Sequence, residues 1–481
     1  MESNLHKNQA LDDSKEVLSR RITIVCLTIF IALVYYWLVS NSYTSPEGRF
    51  VALLNASLFV VLGIRFVPMW VASWNKQVAG VQEALAAEGI PAKVEKKSIY
   101  IKIFVAFLIY DILIILFIYL LQTISNKGGP FHEALKLWEA TDSGHYLDIA
   151  QDWYLSVGHR DRLVQLVFLP GYPILIRIMN ILVGNYLYSG MIVSGLCFAG
   201  AGSMLYRLLR LDHNHKYAVC VLVYLCVFPG SFFFAAPMSE SLFLLLSVSC
   251  IYFLRKKDWF VACILAGLAS FTRSLGLTLL APILFEMIAE SKNADASQLS
   301  EEQSYVKSNF MSQLICKYSN IIFVLLGFGY YLFINYQISG NPFQMLIYQK
   351  EHWGQSLGLF FNTASYQTDN AIRAFQEQNF HTMLGLWLPN LLSIFSSLII
   401  MAIAVKKIRP SYTAYFIAYY VVAIGATWLL SAPRYLLTLF PIHLGLANMS
   451  EKRWVNRLLI VICIIISVVY AYMFVNRWQV W

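Results

Sequence analysis

The sequence predicts an all-α polytopic membrane protein, and three observations point to this fold class. The chain of 481 residues is 58% hydrophobic and only 13% charged, with a mean hydropathy of +0.59. Soluble domains carry about 45–50% apolar and about 25% charged residues, and a soluble chain this apolar would expose large apolar patches. Long apolar runs recur along the chain, with short basic groups between them. Lipid is therefore the expected solvent for most of its surface.

The apolar runs define the predicted membrane spans. A crossing needs about 20 apolar residues, and somewhat fewer inside a bundle. This criterion predicts roughly 11–13 spans, two of them short, with a split near residue 275. The predicted spans are 21–41, 50–72, 99–122, 184–207, 216–235, 239–254, 259–275, 276–290, 319–337, 386–405, 411–430, 434–449 and 457–476. The stretch 166–183 is also apolar, but Pro170, Gly171 and Pro173 interrupt it, which indicates an in-plane or re-entrant segment.

Lysine and arginine predict which side of the membrane each loop faces. With the N-terminus in the cytoplasm, each basic group falls on an inside loop, as the positive-inside rule requires. These groups are Arg20 and Arg21; Lys93, Lys96 and Lys97; Arg207, Arg210 and Lys216; Arg255, Lys256 and Lys257; Lys406, Lys407 and Arg409; and Lys452, Arg453 and Arg457. The first large outside loop, 123–165, is acidic instead. We therefore expect a multi-pass protein of the plasma membrane if the source is bacterial, or of the endoplasmic reticulum if it is eukaryotic.

Two regions are expected along the chain. Residues 1–98 read as a two-span N-terminal extension with a charged cytoplasmic loop, and residues 99–481 as the main transmembrane domain. The main domain has extracytoplasmic loops at 123–183 and 338–385 and a polar cytoplasmic linker at 291–315. The net charge of +9 is spread between the apolar runs, so membrane lipids are the expected partners and nucleic acid is not.

A first candidate site lies in the outside loop, in the segment WEATDSGHYLDIA (138–150). Asp142 is followed by Ser143 and Gly144, then by His145 and Tyr146. Glycine lets a backbone approach a ligand closely, and a carboxylate beside a membrane can act as a general base. The alternative is that Asp142 only caps the apolar-periodic run that follows it.

Four further segments place polar side chains at outer ends of spans. FLPGYP (168–173) bends the chain around Tyr172, PMSESLF (237–243) carries Glu240, TRSLG (272–276) carries Arg273, and SAPRY (431–435) carries Arg434 and Tyr435. An arginine in an apolar region is costly and is usually paired or functional. The alternatives are a structural turn at 168–173, a helix-dipole role for Glu240, and snorkelling for the two arginines. Under the predicted topology all of these segments reach the outer face, where arginines suit a lipid phosphate and the acid suits an acceptor hydroxyl.

The cysteines do not indicate a metal or disulfide framework. There are eight of them, and no C-x-x-C pair occurs. No cofactor is expected with certainty. A divalent metal near the outer acids and His145 stays open, although no ligand spacing argues for one.

The order of the motifs resembles one family. Five segments carry the resemblance: DSGHYLDIA (142–150), FLPGYP (168–173), FPGSFFFAAPMSESLF (228–243), ASFTRSLG (269–276) and RYLLTLFP (434–441). Their order resembles that in the second mannosyltransferase of glycosylphosphatidylinositol (GPI) anchor synthesis (GPI mannosyltransferase 2-like) and its bacterial relatives. The similarity spans roughly residues 100–450. The chain departs from the family at Thr141, where tryptophan is usual, and in FLPGYP, where the family has F-F-P-L-Y-P.

This resemblance implies a GT-C glycosyltransferase fold and an inverting transfer of a sugar, typically mannose, from a polyprenyl-phosphate donor to a lipid or glycan acceptor on the extracytoplasmic side. It implies that Asp142 is the catalytic base and that Glu240, Arg273 and Arg434 line the site. His145, Tyr146, Tyr172 and Tyr435 lie in the same motifs and are our candidate substrate-binding residues. A bacterial source would exclude GPI itself as the acceptor.

Two other functions remain open from the sequence. A lipid or polysaccharide transporter would carry charges near the bilayer midplane and two similar halves. Neither feature is clear in the sequence, where Arg273 is the only strong midplane candidate. A non-catalytic partner of a cell-envelope synthase would tolerate changes in the Asp142 loop.

Overall fold

The computed structural model describes residues 2–41, 44–73, 97–154, 160–298 and 317–480. The structure is 83% helical, and the described ranges contain no strand, only an isolated bridge between Leu357 and Ala426. The predicted all-α polytopic membrane fold is confirmed.

The longer helices follow one another along the whole chain. They are α1 (Glu2–Ser40), α2 (Pro46–Ala72), α3 (Lys97–Ile124), α4 (Ser143–Asp152), α5 (Gly171–Val183), α6 (Tyr186–Leu209), α7 (His215–Val227), α8 (Glu240–Arg255), α9 (Trp259–Thr272), α10 (Leu280–Gln298), α11 (Ile321–Ser339), α12 (Gln344–Trp353), α13 (Phe360–Gln376), α14 (Leu388–Ala404), α15 (Pro410–Ile424), α16 (Ala432–Leu437), α17 (Phe440–Met449) and α18 (Arg453–Val475).

Eight helical segments within the described ranges are long and apolar enough to cross a bilayer, and each coincides with a predicted span. They are Glu16–Ser40, Pro46–Ala72, Lys97–Ile124, Tyr186–Leu209, Ser274–Ser291, Lys317–Ser339, Phe380–Lys407 and Arg453–Val475. The other five predicted spans correspond to α7, α8, α9, α15 and α17, which have 10 to 16 residues. At 1.5 Å per residue these are shorter than a hydrocarbon core of about 30 Å, so their crossing of the bilayer stays a prediction.

Burial separates central from peripheral helices. The apolar window of α6 is 67% buried, whereas that of α1 is 6% buried. Since lipid is as apolar as a protein core, a low buried fraction is what a lipid-facing helix shows. Helix α6 therefore lies at the centre of the bundle, where it packs on α3 and α8.

Local sequence signals explain where several helices begin and end. Ser45 caps α2 by accepting a hydrogen bond from the Gly48 amide, and Pro46 occupies the first helical position. Asn185 caps α6 in the same way. Gly184 ends α5 with a φ of +72°, a left-handed conformation that glycine adopts without steric cost.

The predicted split near residue 275 is a true break in the helix. Helix α9 ends at Thr272, Arg273 is extended (φ −147°, ψ 138°), and the tight turn Ser274–Leu279 leads into α10. The turn folds back closely, because a Cβ on Gly276 would lie 2.2 Å from the Ser270 amide nitrogen. The extended backbone at Arg273 directs this arginine away from the helix.

The first two helices pack against the C-terminal half. The Trp37 indole donates a hydrogen bond to Asn362 Oδ1 (2.8 Å), and Asn55 donates to the Tyr420 hydroxyl (3.1 Å). Residues 74–96 of the predicted extension, and 299–315 of the predicted linker, lie outside the described residues.

The two predicted outer loops contain helices. Residues 338–385 hold α12 and α13, and residues 123–183 hold α4 and α5. Helix α5 has 13 residues, which is about 20 Å, and Ile181 and Leu182 near its end are more than 80% exposed. Its orientation in the membrane, in-plane or re-entrant, stays a prediction.

Candidate functional site

Four charged side chains from four separate segments meet at one end of the bundle. Asp142 precedes α4, Glu240 opens α8, Arg273 follows α9, and Arg434 lies in α16. They form one connected cluster, which we call the outer cluster after the side that it faces under the predicted topology. The structure thus brings together all four charged residues that the motifs single out.

The outer cluster alternates acids and arginines. Arg273 Nη1 lies 2.6 Å from Glu240 Oε1, and Arg434 Nε lies 3.3 Å from the same oxygen. Arg434 Nη2 pairs with Asp142 Oδ2. Arg434 therefore links the two acids and is the centre of the cluster.

The four side chains differ in their access to solvent. The exposed fraction is 2% for Glu240, 3% for Arg434, 11% for Arg273 and 29% for Asp142. Buried charges persist only when they are paired, which explains the tight association of the first three. The two arginines are buried and paired, so the structure does not show them snorkelling to the surface. Asp142 is the acid that an approaching molecule reaches first.

Several polar atoms in and beside the cluster have no hydrogen-bond partner among the described residues. They are Glu240 Oε2, Arg434 Nε, Thr141 Oγ1 and Ser143 Oγ. Arg434 Nε is close to Glu240 without making a hydrogen bond to it. Buried polar groups are nearly always satisfied, so unsatisfied atoms on Glu240, on Arg434 and on both sequence neighbours of Asp142 indicate a site completed by water or a ligand.

The structure also tests the capping alternative for Asp142. Its side chain makes no capping hydrogen bond to α4 and pairs with Arg434 instead. The preceding residue, Thr141, has a φ of +61°, which is rare for a β-branched residue and costs conformational energy. The local backbone is thus held in a strained form that orients Asp142 towards Arg434 rather than towards the helix.

Tyr435 and Tyr146 contact the cluster directly or through one neighbour. The Tyr435 ring lies 5.1 Å from the Arg273 guanidinium and 5.9 Å from that of Arg434, which is cation–π range. The Tyr146 hydroxyl bonds to Ser239 Oγ (2.9 Å), and Ser239 in turn accepts from Arg273 (3.3 Å). Both tyrosines therefore help to position the arginines.

Tyr172 and His145 occupy different surroundings. The Tyr172 hydroxyl bonds to Ser194 Oγ (2.7 Å) and the Gly190 carbonyl (2.8 Å) within the core, so it secures helix packing. The half-buried His145 ring stacks on Phe168 at 4.6 Å, and Trp353 lies edge-on at 6.3 Å from His145. Trp353, at the end of α12, lies outside the sequence motifs, and only the aromatic content of its loop could have indicated a role for it.

The arrangement does not favour a metal ion. Among the described residues no group of three or more His, Cys, Asp or Glu side chains could hold one. In the outer cluster two arginines already neutralise the two acids, so no net negative charge remains to hold a divalent cation.

Comparisons with models of protein families, with curated proteins and with solved structures found no match to this chain. The family resemblance therefore rests on the motif order alone and stays a prediction.

Proposed function

We propose that this chain is an integral-membrane glycosyltransferase of the GT-C type. It transfers a sugar, mannose in the family it resembles, from a polyprenyl-phosphate donor to a lipid-linked or cell-envelope acceptor on the extracytoplasmic side. The observation that carries this proposal is the outer cluster: one partly exposed carboxylate beside two buried arginines, with unsatisfied polar atoms around it.

Asp142 is the general base in this proposal. It accepts the proton of the acceptor hydroxyl as the hydroxyl oxygen attacks the anomeric carbon. The bond between that carbon and the phosphate oxygen breaks, and the polyprenyl phosphate leaves with the bonding electrons, which inverts the anomeric configuration. With Arg434 on Oδ2, the carboxylate remains 29% exposed and can receive a proton from an acceptor.

Arg434 and Arg273 stabilise the leaving phosphate. Each is held in place by Glu240, and a fixed guanidinium in a water-poor site stabilises developing charge more strongly than one in solution. The donor phosphate would compete with Asp142 for Arg434. Donor binding would thereby release the carboxylate for its role as a base.

The test uses the purified full chain in lipid with polyprenyl-phosphate mannose and compares wild type with Asp142→Asn. The control is Asp148→Asn, because Asp148 is exposed on the same helix, α4, and bonds only to Gln165 Nε2 (3.2 Å) among the described residues. Donor consumption lost only in Asp142→Asn supports both the reaction class and the base. Consumption equal in all three proteins removes Asp142 from this role. Absence of consumption with any polyprenyl-phosphate sugar rejects the transferase proposal.

One observation favours the transporter alternative. Asp111 lies at the middle of α3 and is 7% exposed, and its Oδ2 is only 2.7 Å from where a Cβ on Gly195 would stand. An ionisable residue at mid-span is a functional candidate by default, and the sequence motifs did not include it. A transporter would show lipid-linked sugar flux across liposomes that Asp111→Asn abolishes, with no donor consumption.

A further inference from the structure

A second site lies at the opposite end of the bundle from the outer cluster. It is a cavity of about 980 Å³, and Arg255, the last residue of α8, lines it. Helix α8 begins at Glu240 and has 16 residues, so about 22 Å separates the two ends. Under the predicted topology this cavity, which we call the basic cavity, faces the cytoplasm.

The lining of the basic cavity carries excess positive charge. Seven lysine and arginine residues line it: Lys216, Arg255, Lys257, Lys406, Lys407, Arg409 and Arg453. The four acids that line it are Asp212, Glu286, Glu290 and Glu451. The formal difference is 7 − 4 = +3, counted over the same lining residues.

Each acid in the lining is already paired. Asp212 pairs with Arg255 (2.5 Å), and Glu286 with Arg409 (2.6 Å). Glu290 pairs with Lys257 (3.1 Å) and with Lys317 (3.5 Å), and Glu451 pairs with Lys407. An incoming anion would therefore meet neutralised carboxylates.

Three cations in the lining have no acidic partner in the described part of the chain. They are Lys216 at the start of α7, Lys406 after α14 and Arg453 at the start of α18. They are exposed, come from three different segments and line the same cavity, so they are free to reach an anion that enters it. A phosphate group, with several acceptor oxygens, suits three such donors.

The basic cavity also touches a helix that has much unburied apolar surface. Met69 and Ser73, at the end of α2, line it, and the apolar window of α2 is only 28% buried. Phe285 of α10 adds a second apolar side chain. A ligand bound here would have its phosphate among cations and its apolar part beside the bilayer.

We propose that the basic cavity binds the phosphate headgroup of an anionic membrane lipid, with Lys216, Lys406 and Arg453 around the phosphate. This site is distinct from the outer cluster and does not depend on the transferase proposal. It differs from general attraction between basic loops and anionic membranes because three specific cations and a cavity define it.

The experiment measures lipid binding to the purified full chain in detergent by native mass spectrometry. Phosphatidylglycerol is compared with phosphatidylcholine of the same acyl chains. The test variant is Lys216→Gln, Lys406→Gln, Arg453→Gln. The control variant, Lys127→Gln, Lys136→Gln, Lys350→Gln, removes the same charge from exposed positions that do not line the cavity. Size-exclusion profiles check that both variants stay folded.

We expect the test variant to bind phosphatidylglycerol at least about tenfold more weakly than wild type, and the control variant to stay within about twofold. Equal losses in both variants, or equal binding of the two lipids by wild type, would overturn the proposal. A third arm adds millimolar inorganic phosphate. If free phosphate binds wild type but not the test variant and displaces the lipid completely, the ligand is a soluble phosphate and the lipid assignment is wrong.

Discussion

An aspartate–arginine pair lies near each end of α8, but the two pairs differ in how many of their polar atoms have hydrogen-bond partners. At the basic end Arg255 donates to both oxygens of Asp212 (2.5 and 2.7 Å) and to the Tyr412 hydroxyl (2.8 Å). At the outer end Arg434 reaches one oxygen of Asp142, and polar atoms beside it lack partners in the described ranges.

This difference separates a structural role from a functional one. A complete, bidentate ion pair holds elements together and leaves little capacity for a ligand. An incomplete cluster with a partly exposed acid has capacity to bind and to exchange a proton. The same pairing chemistry therefore supports packing at one end and, in our proposal, catalysis at the other.

The largest expected effect is the loss of transfer in Asp142→Asn. Removing a general base lowers kcat by about 10²–10⁴. Stability should change less than on breaking the Asp212–Arg255 pair, because the buried Arg434 keeps Glu240, 3.3 Å away, as a second carboxylate. Donor turnover and the thermal unfolding midpoint, measured on the same preparation, check this. A large drop in the midpoint would instead assign Asp142 a structural role.

The matched substitution at the other end, Asp212→Asn, should show the reverse pattern. It leaves the Arg255 guanidinium, 7% exposed, without its carboxylate, and breaking a buried pair costs about 3–5 kcal/mol. Because 16% of Asp212 is exposed, we expect the lower part of that range. Denaturation in mixed micelles measures the loss, and turnover per folded molecule should stay near wild type. Normal stability here would refute the contrast between the two ends.

Two serines allow the two ends to be compared by removing one hydroxyl group at each end. Ser411 Oγ bonds to Glu286 Oε1 (2.6 Å) at the basic end, so Ser411→Ala should cost about 1.5–3 kcal/mol. Ser143 Oγ is buried without a partner among the described residues, so Ser143→Ala should not lower stability, because it removes an unsatisfied buried hydroxyl. Unfolding curves of the two variants measure both changes in the free energy of unfolding. Equal costs would mean that the Ser143 hydroxyl is satisfied in the ligand-free protein.

The smallest expected effect concerns pH. Burial alone would raise the pKa of Asp212, but the hydrogen bonds and charge of Arg255 outweigh burial and hold the pKa below its ordinary value. A lowered pKa in the folded state contributes stability above the unfolded pKa of about 3.9, and this stability is lost as pH falls through the lower folded value. The difference in unfolding midpoint between wild type and Asp212→Asn should thus be constant from about pH 5 to 8 and shrink below about pH 4. A difference that shrinks already near neutral pH would show that Arg255 does not control this carboxyl.

Much of the architecture could be predicted from the order of the residues, because apolar runs specify membrane helices locally. All eight long apolar helices found within the described ranges coincide with predicted spans, and the break at Arg273 lies where the split was expected. The structure shows that Asp142, Glu240, Arg273 and Arg434 lie near one another, as expected from their predicted positions at span ends, whereas the side of the membrane that they face stays a prediction. Their roles in a reaction stay predictions.

The pairing of charges could not be predicted, because it depends on contacts between residues far apart in the chain. Asp142 and Arg434 are 292 positions apart, and Arg409 and Glu286 are 123 apart. Trp353 was missed for the same reason, since no local pattern distinguishes an aromatic side chain that meets a distant helix. Asp111, in contrast, had a local signal, an acid in the middle of a long apolar run, which the motifs did not include.

By itself the sequence determined that most of the surface faces lipid, that the fold is helical, where most helices begin and end, and that basic residues gather at one end. Hydropathy, capping residues and basic clusters indicate these properties because each acts over a few residues. Only the tertiary structure decided which charges neutralise one another, which polar atoms remain unsatisfied and where cavities lie. Those properties depend on side-chain distances of a few ångströms between separate helices, and burial makes each such contact energetically decisive.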